Sequence, residues 1–93
     1  MDVNVLHHST ERRFEAIVDG VRCVLEYGLR DGVMSIDHTG VPAAVGGRGI
    51  ASELVRAAFE TARREGWRVL PACSYAAAWV ERHPEFRDLV TTG

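Results

Sequence analysis

Between residues 41 and 51 the chain reads Val41-Pro42-Ala43-Ala44-Val45-Gly46-Gly47-Arg48-Gly49-Ile50-Ala51. Alternating, β-type segments precede this stretch, and helical periodicity begins after it. A glycine-rich turn that feeds a helix leaves the first-turn amides without intrahelical partners. The aligned peptide dipoles give that end a partial positive charge. Glycines there let an anion reach the amides without meeting a Cβ. The segment points to a phosphate-bearing ligand; the alternative is a permissive strand-to-helix connection with no ligand at all.

Upstream, Phe14, Ala16 and Val18 alternate with Glu15 and Ile17, and Asp19-Gly20 is a two-residue hairpin signal. Val21, Cys23, Leu25 and Tyr27 then alternate with Arg22, Val24 and Glu26. A second turn, Arg30-Asp31-Gly32, leads into residues 33–39. Strict alternation puts Met34, Ile36 and His38 on one side of that strand and Val33, Ser35, Asp37 and Thr39 on the other. Residues 3–6 are a candidate edge strand. The first half is thus an antiparallel meander of three or four strands.

Downstream, the spacing predicts a helix over about 49–65. Ile50, Leu54, Val55, Ala58, Phe59 and Ala62 form its apolar stripe, and Glu60 and Arg64 stand at i,i+4 as an ion pair. Gly66 ends it. Residues 67–70 read as a short strand stopped by Pro71. Ser74 is the expected cap of a second helix through Val80, which His83-Pro84 terminates. Phe86, Leu89 and Val90 are expected to fold back on the core. The β–α–β connection makes strand 67–70 parallel to strand 33–39, so the fold class is α+β.

Residues 1–93 are expected to form a single domain. The formal charge of −2 gives no reason to expect nucleic acid as a partner. All eleven basic residues are arginine, which excludes a lysine Schiff base or phosphate clamp. Cys23 and Cys73 lack CxxC spacing and read as free thiols of a reducing compartment. There is no apolar leader and no run near the roughly 18 residues a membrane span needs. A cytoplasmic monomer without membrane attachment is expected. His7, His8, His38 and His83 form no metal-ligand pattern.

Two familiar nucleotide loops fit badly. Gly47-Arg48-Gly49-Ile50-Ala51-Ser52 lacks the last glycine of GxGxxG, and no carboxylate ends the following strand. A Walker loop needs a lysine. The chain does resemble the small, single-domain branch of the GNAT acetyltransferase superfamily. His38-Thr39-Gly40-Val41-Pro42, the Gly46–Ala51 loop, Leu70-Pro71-Ala72-Cys73 and Arg82-His83-Pro84-Glu85-Phe86 carry the likeness, which extends from Phe14 to Val90.

The resemblance implies a minimal GNAT fold and an N-acetyltransferase dependent on acetyl-coenzyme A. The superfamily's coenzyme motif, Gln/Arg-x-x-Gly-x-Gly/Ala, maps onto Gly46, Gly47, Arg48, Gly49, Ile50 and Ala51. Gly46 replaces the usual Gln or Arg, which implies weakened rather than abolished affinity, with Arg48 a candidate phosphate partner. The pantetheine arm would bond the backbone of Thr39, Gly40 and Val41 where two strands splay, with the thioester between His38 and Cys73.

His38 is then the candidate base, because an imidazole titrates near working pH; the alternative is a histidine that orders the turn. Cys73, just before a helix, is a candidate nucleophile or a wall of the thioester site, or else simply a small buried residue. Tyr75 is a candidate acid for the departing thiolate, or packs on Trp79. The usual acceptor-side helices are missing, so the groove for a small-molecule or polypeptide amine should be open. A non-catalytic coenzyme A-binding module or an interaction domain are the rival functions.

Overall fold

Two Asp-Gly pairs shape the sheet. Asp19 and Gly20 have φ of 51° and 76°, and Asp31 and Gly32 have 52° and 76°. Two successive positive φ values make the hairpin turn whose twist matches paired antiparallel strands. The computed structural model describes residues 3–92. Its strands are β1 (Leu6–His8), β2 (Arg13–Val18), β3 (Val21–Arg30), β4 (Val33–Gly40) and β5 (Arg68–Leu70). They lie in the order β1-β2-β3-β4-β5, antiparallel except for the parallel β4–β5 pair. The expected edge strand at 3–6 falls instead at Leu6–His8, where the His7 ring stacks on Phe14 and bonds the Tyr27 hydroxyl.

Helix α1 (Ile50–Glu65) ends on Gly66 at φ 77°, whose amide bonds back into the last turn. Its stripe of Leu54, Val55, Ala58, Phe59 and Ala62 is fully buried against Phe14, Leu25, Met34, Ile36 and Val69 of the sheet. Helix α2 (Ser74–Glu81) packs in the same layer, with Trp79 stacked on Phe59 at 5.4 Å and its indole N–H donating to Ser52 Oγ at 2.8 Å. Phe86 and Leu89 return to the core as expected, within a 3₁₀ segment, and Val90 bridges Val69 beyond β5. Glu60 and Arg64 form no ion pair; the Arg64 guanidinium instead donates to Thr61 Oγ1 at 3.3 Å. Ser74 is the first residue of α2, and Cys73 holds the cap position.

One departure matters for function. The pairs Val24↔Gly40, Leu25↔Thr39 and Glu26↔His38 are followed by Tyr27↔Ile36, so Asp37 is an extra residue in β4. This bulge breaks the alternation on which the face assignment rested. His38 does not share a side with Met34 and Ile36. It pairs with Glu26 and is exposed on the helix-free face, while Thr39 pairs with buried Leu25 and turns toward the helices. Asp37 and His38 are consecutive and both exposed, as the bulge requires.

Candidate functional site

β4 and β5 pair at Val33↔Arg68, Met34↔Val69 and Ser35↔Leu70, and then separate. Pro71 has no amide hydrogen to continue the ladder. The Ala72 amide turns back to Leu70 O at 2.9 Å, and the Cys73 amide makes the last tie across, to Ile36 O at 2.8 Å. Beyond that tie the Asp37–Gly40 end of β4 faces the start of α2. The splayed strands expected from the resemblance are therefore present, and the bulge and the proline produce them.

Thr39 and Cys73 meet at this opening. The Cys73 thiol donates to Thr39 Oγ1 at 3.8 Å. Partial burial pushes the Cys73 thiol up, but the amides of Ala76 and Tyr75 and the hydroxyl and amide of Thr39 outweigh it. The net pKa lies below an ordinary thiol's, although no first-turn amide closes a formal cap bond to the sulfur. Cys23, buried mid-sheet, is pushed up by burial and belongs to the core. Tyr75 is half-buried in the first turn of α2; Trp79 stacks on Phe59 and His83 rather than on Tyr75.

At the other end of the opening lies the glycine turn. Gly47 and Gly49 have φ of 78° and 76°, and a Cβ on either would meet nothing within 4 Å. Gly49 is the N-cap of α1 in left-handed conformation, with no side chain capping the helix. The first helical bond runs from Glu53 N–H to Gly49 O at 3.1 Å. Among the described residues, the amides of residues 47–52 donate to no protein acceptor. The Ile50 side chain is buried in the core, so its share in any ligand site is its amide. Arg48 is already engaged, its Nη1 donating to Asp19 Oδ2 in the β2–β3 turn at 2.5 Å.

The remaining candidates separate by face. A Cβ on Gly40 would stand 2.9 Å from His38 Nε2, so the imidazole lies over Gly40 on the helix-free face, away from the Thr39–Cys73 contact. Val41 is half-buried and Gly46 ends a 3₁₀ turn, Ala43–Val45, anchored by buried Val45. The Thr39 hydroxyl, the Asp19 carboxylate and the Asp37 bulge were not singled out by sequence. Each depends on a register or a turn contact that residue patterns do not display.

An open run of main-chain donors at a helix start and a sulfur between two parting strands thus lie on one α+β fold. The comparisons give that fold its family. The family model described as GCN5-related N-acetyl-transferase matches residues 13–89. Protein NATD1 of Bos taurus is 34% identical over 87 residues, covering 88% of this chain and 75% of the relative. Protein NATD1 of Homo sapiens is 33% identical with the same coverage. The NMR solution structure of a GCN5-like protein from Staphylococcus aureus superposes with a TM-score of 0.75 at 26% identity, over 95% of this chain and 87% of that one. The chain belongs to the GCN5-related N-acetyltransferase family. Among the described residues no helix is long and apolar enough to cross a membrane.

Proposed function

We propose that this protein transfers an acetyl group from acetyl-coenzyme A to a primary amine. The observation that carries it is the pairing of two features on one opening: unbonded amides at 47–52 and the low-pKa Cys73 beside Thr39. The open cradle around Gly47 and Gly49 fits a diphosphate, since no side chain or Cβ fills it. Bound acetyl-coenzyme A supplies an activated thioester: the amine nitrogen bonds the acetyl carbon, the C–S bond breaks, and the amine's proton ends on the released thiol.

Gly46, Gly47, Arg48, Gly49, Ile50 and Ala51 would hold the diphosphate, largely by main chain. The backbone of Thr39, Gly40 and Val41, at the freed edge of β4, would hold the pantetheine arm. Cys73 lines the acyl end, where Thr39 and the α2 first turn favour its thiolate. That environment suits either a nucleophile that carries the acetyl group briefly or a polar wall that orients it. His38 stands on the open face, where it would take a proton from an amine arriving from that side. Tyr75, in the turn after Cys73, is the candidate to protonate the departing thiolate.

The test is direct. Calorimetry with coenzyme A should show one site per chain, and radiolabelled acetyl-coenzyme A should label an amine from a panel of alkylamines and lysine peptides. Cys73→Ala and His38→Ala should lower turnover and spare binding. Coenzyme binding without turnover on any amine would turn the protein into a binding module, and absent binding would end the proposal.

A further inference from the structure

The helix-free face of the sheet carries a depression of about 340 Å³ that none of the roles above uses. Register builds it: Gly28 lies opposite Ser35, and Ser35 lies beside Leu70. Gly28, Val33, Ser35 and Leu70 line it, and Arg30 and Asp31 close its far end at the hairpin turn, one charge of each sign. Gly28 opens the floor, because it has no side chain in mid-strand.

Asp37 overlooks that floor. Its Oδ1 accepts from Ser35 Oγ at 2.6 Å, and its Oδ2 stands 3.6 Å from where a Gly28 Cβ would be. Among the described residues no cation pairs with Asp37. The bulge therefore aims an uncompensated carboxylate at an apolar patch. The same bulge residue directly follows Ile36, whose carbonyl makes the last tie to Cys73. On the helix-covered side Val45, Ile50, Ala76 and Trp79 are buried in the core.

We infer that this depression receives the acceptor, and that its ligand is a primary ammonium on a short aliphatic stem. The stem lies on Gly28, Val33 and Leu70, and the ammonium meets Asp37 Oδ2. Ser35 fixes the carboxylate by occupying Oδ1. A ligand bearing a carboxylate at that end is repelled. This placement rests on the transferase proposal for its purpose, but the ammonium site can be measured without it.

The experiment titrates the full chain with n-butylammonium chloride, followed by amide NMR, with n-butanol as the uncharged counterpart; coenzyme A binding is measured separately by calorimetry. Butylammonium should shift the amides of Gly28, Ser35, Asp37 and Leu70, and butanol should not. Asp37→Asn should weaken the ammonium about tenfold, the loss of one charge-assisted bond. Gly28→Val should abolish it by filling the floor; a Cβ there makes only an ordinary contact, and a β-branched residue suits the strand. Coenzyme affinity should be unchanged in both. Equal shifts with butanol, shifts elsewhere on the protein, or an Asp37→Asn titration like wild type overturns the site. Failure of coenzyme A to bind wild type overturns the transferase proposal instead and leaves the ammonium result to stand by itself.

Discussion

Cys73 and Thr39 touch across the gap between two strands that have just stopped pairing, the thiol donating to Thr39 Oγ1 at 3.8 Å. Partial burial pushes the thiol up, but the Thr39 hydroxyl is one of the groups that together hold its pKa below the ordinary value. Once the thiol ionises the hydroxyl must donate to the sulfur, so removing it takes away part of the stabilisation of the thiolate, while the Thr39, Ala76 and Tyr75 amides remain. Thr39→Val should therefore slow iodoacetamide alkylation of Cys73 several-fold at neutral pH and move its pH midpoint upward. In wild type Cys73 should react well before Cys23, which is buried and pushed up. Mass spectrometry of peptides after timed alkylation reads both; an unchanged midpoint in Thr39→Val would remove Thr39 from the account of Cys73.

Asp19 competes with a phosphate for the Arg48 charge. Its guanidinium is held by the Asp19 carboxylate at 2.5 Å, and both side chains are well exposed. An exposed pair of this kind contributes at most about 1 kcal/mol, or roughly fivefold in an equilibrium. Asp19→Asn keeps a residue that tolerates the left-handed turn position and frees Arg48. Calorimetry should show coenzyme A binding up to about fivefold tighter, more so at low salt than at high salt. Equal affinity at both salt concentrations would mean that Arg48 takes no part in binding.

Most of the framework was legible because its signals are local. Asp19-Gly20 and Asp31-Gly32 announce their turns, the stripe from Ile50 to Ala62 announces α1, and Gly66 announces its end. The glycine turn was legible because glycine tolerates positive φ and has no side chain with which to cap the helix that follows. His38 was misplaced by one face because alternation cannot see an inserted residue. Met34, Ile36 and His38 keep their spacing in the sequence, but Asp37 bulges and exchanges the sides of His38 and Thr39. Contacts between distant segments were beyond reach for the same reason: Arg48 meeting Asp19, Thr39 meeting Cys73 and Trp79 meeting Ser52 follow from packing, not from pattern.

His7 and Tyr27, both shifted chiefly by burial, set a pH window for stability. His7 Nε2 lies 2.6 Å from the Tyr27 hydroxyl, with its ring stacked on Phe14 at 4.2 Å. Burial and then Arg64 and His8 hold the His7 pKa below 6.5, against an opposing pull from Glu65. Burial holds the Tyr27 pKa above 10, with Arg12 opposing. A histidine depressed on folding favours the native state above pH 6.5, and that contribution is lost as pH falls through 6.5 toward the folded value. A tyrosine raised on folding contributes below pH 10 and loses its contribution as pH climbs through 10 toward the folded value. Urea midpoints should fall on both sides of that plateau. His7→Phe should flatten the acid side selectively, and an acid slope equal to wild type would assign it to other groups.

Trp79 joins the two helices that flank the opening, and its indole N–H has a single partner, Ser52 Oγ at 2.8 Å. The indole is 1% exposed and stacks on Phe59 and His83, so its N–H has little access to water. Ser52→Ala should cost about 1–3 kcal/mol, the penalty for an unsatisfied buried donor, less a few tenths regained from alanine's helix propensity. Trp79→Phe removes the donor and leaves a void beside Phe59, which costs more through lost packing than through the bond. In the double variant no orphaned N–H remains, so its cost should fall short of the sum of the two single costs by about 1 kcal/mol or more. For a domain of this size each 1 kcal/mol lowers the melting temperature by about 4–8 °C, well within the resolution of calorimetric scans. Strict additivity in the cycle would show that the indole N–H finds another acceptor, and that α1 and α2 are held together at this point by ring packing alone.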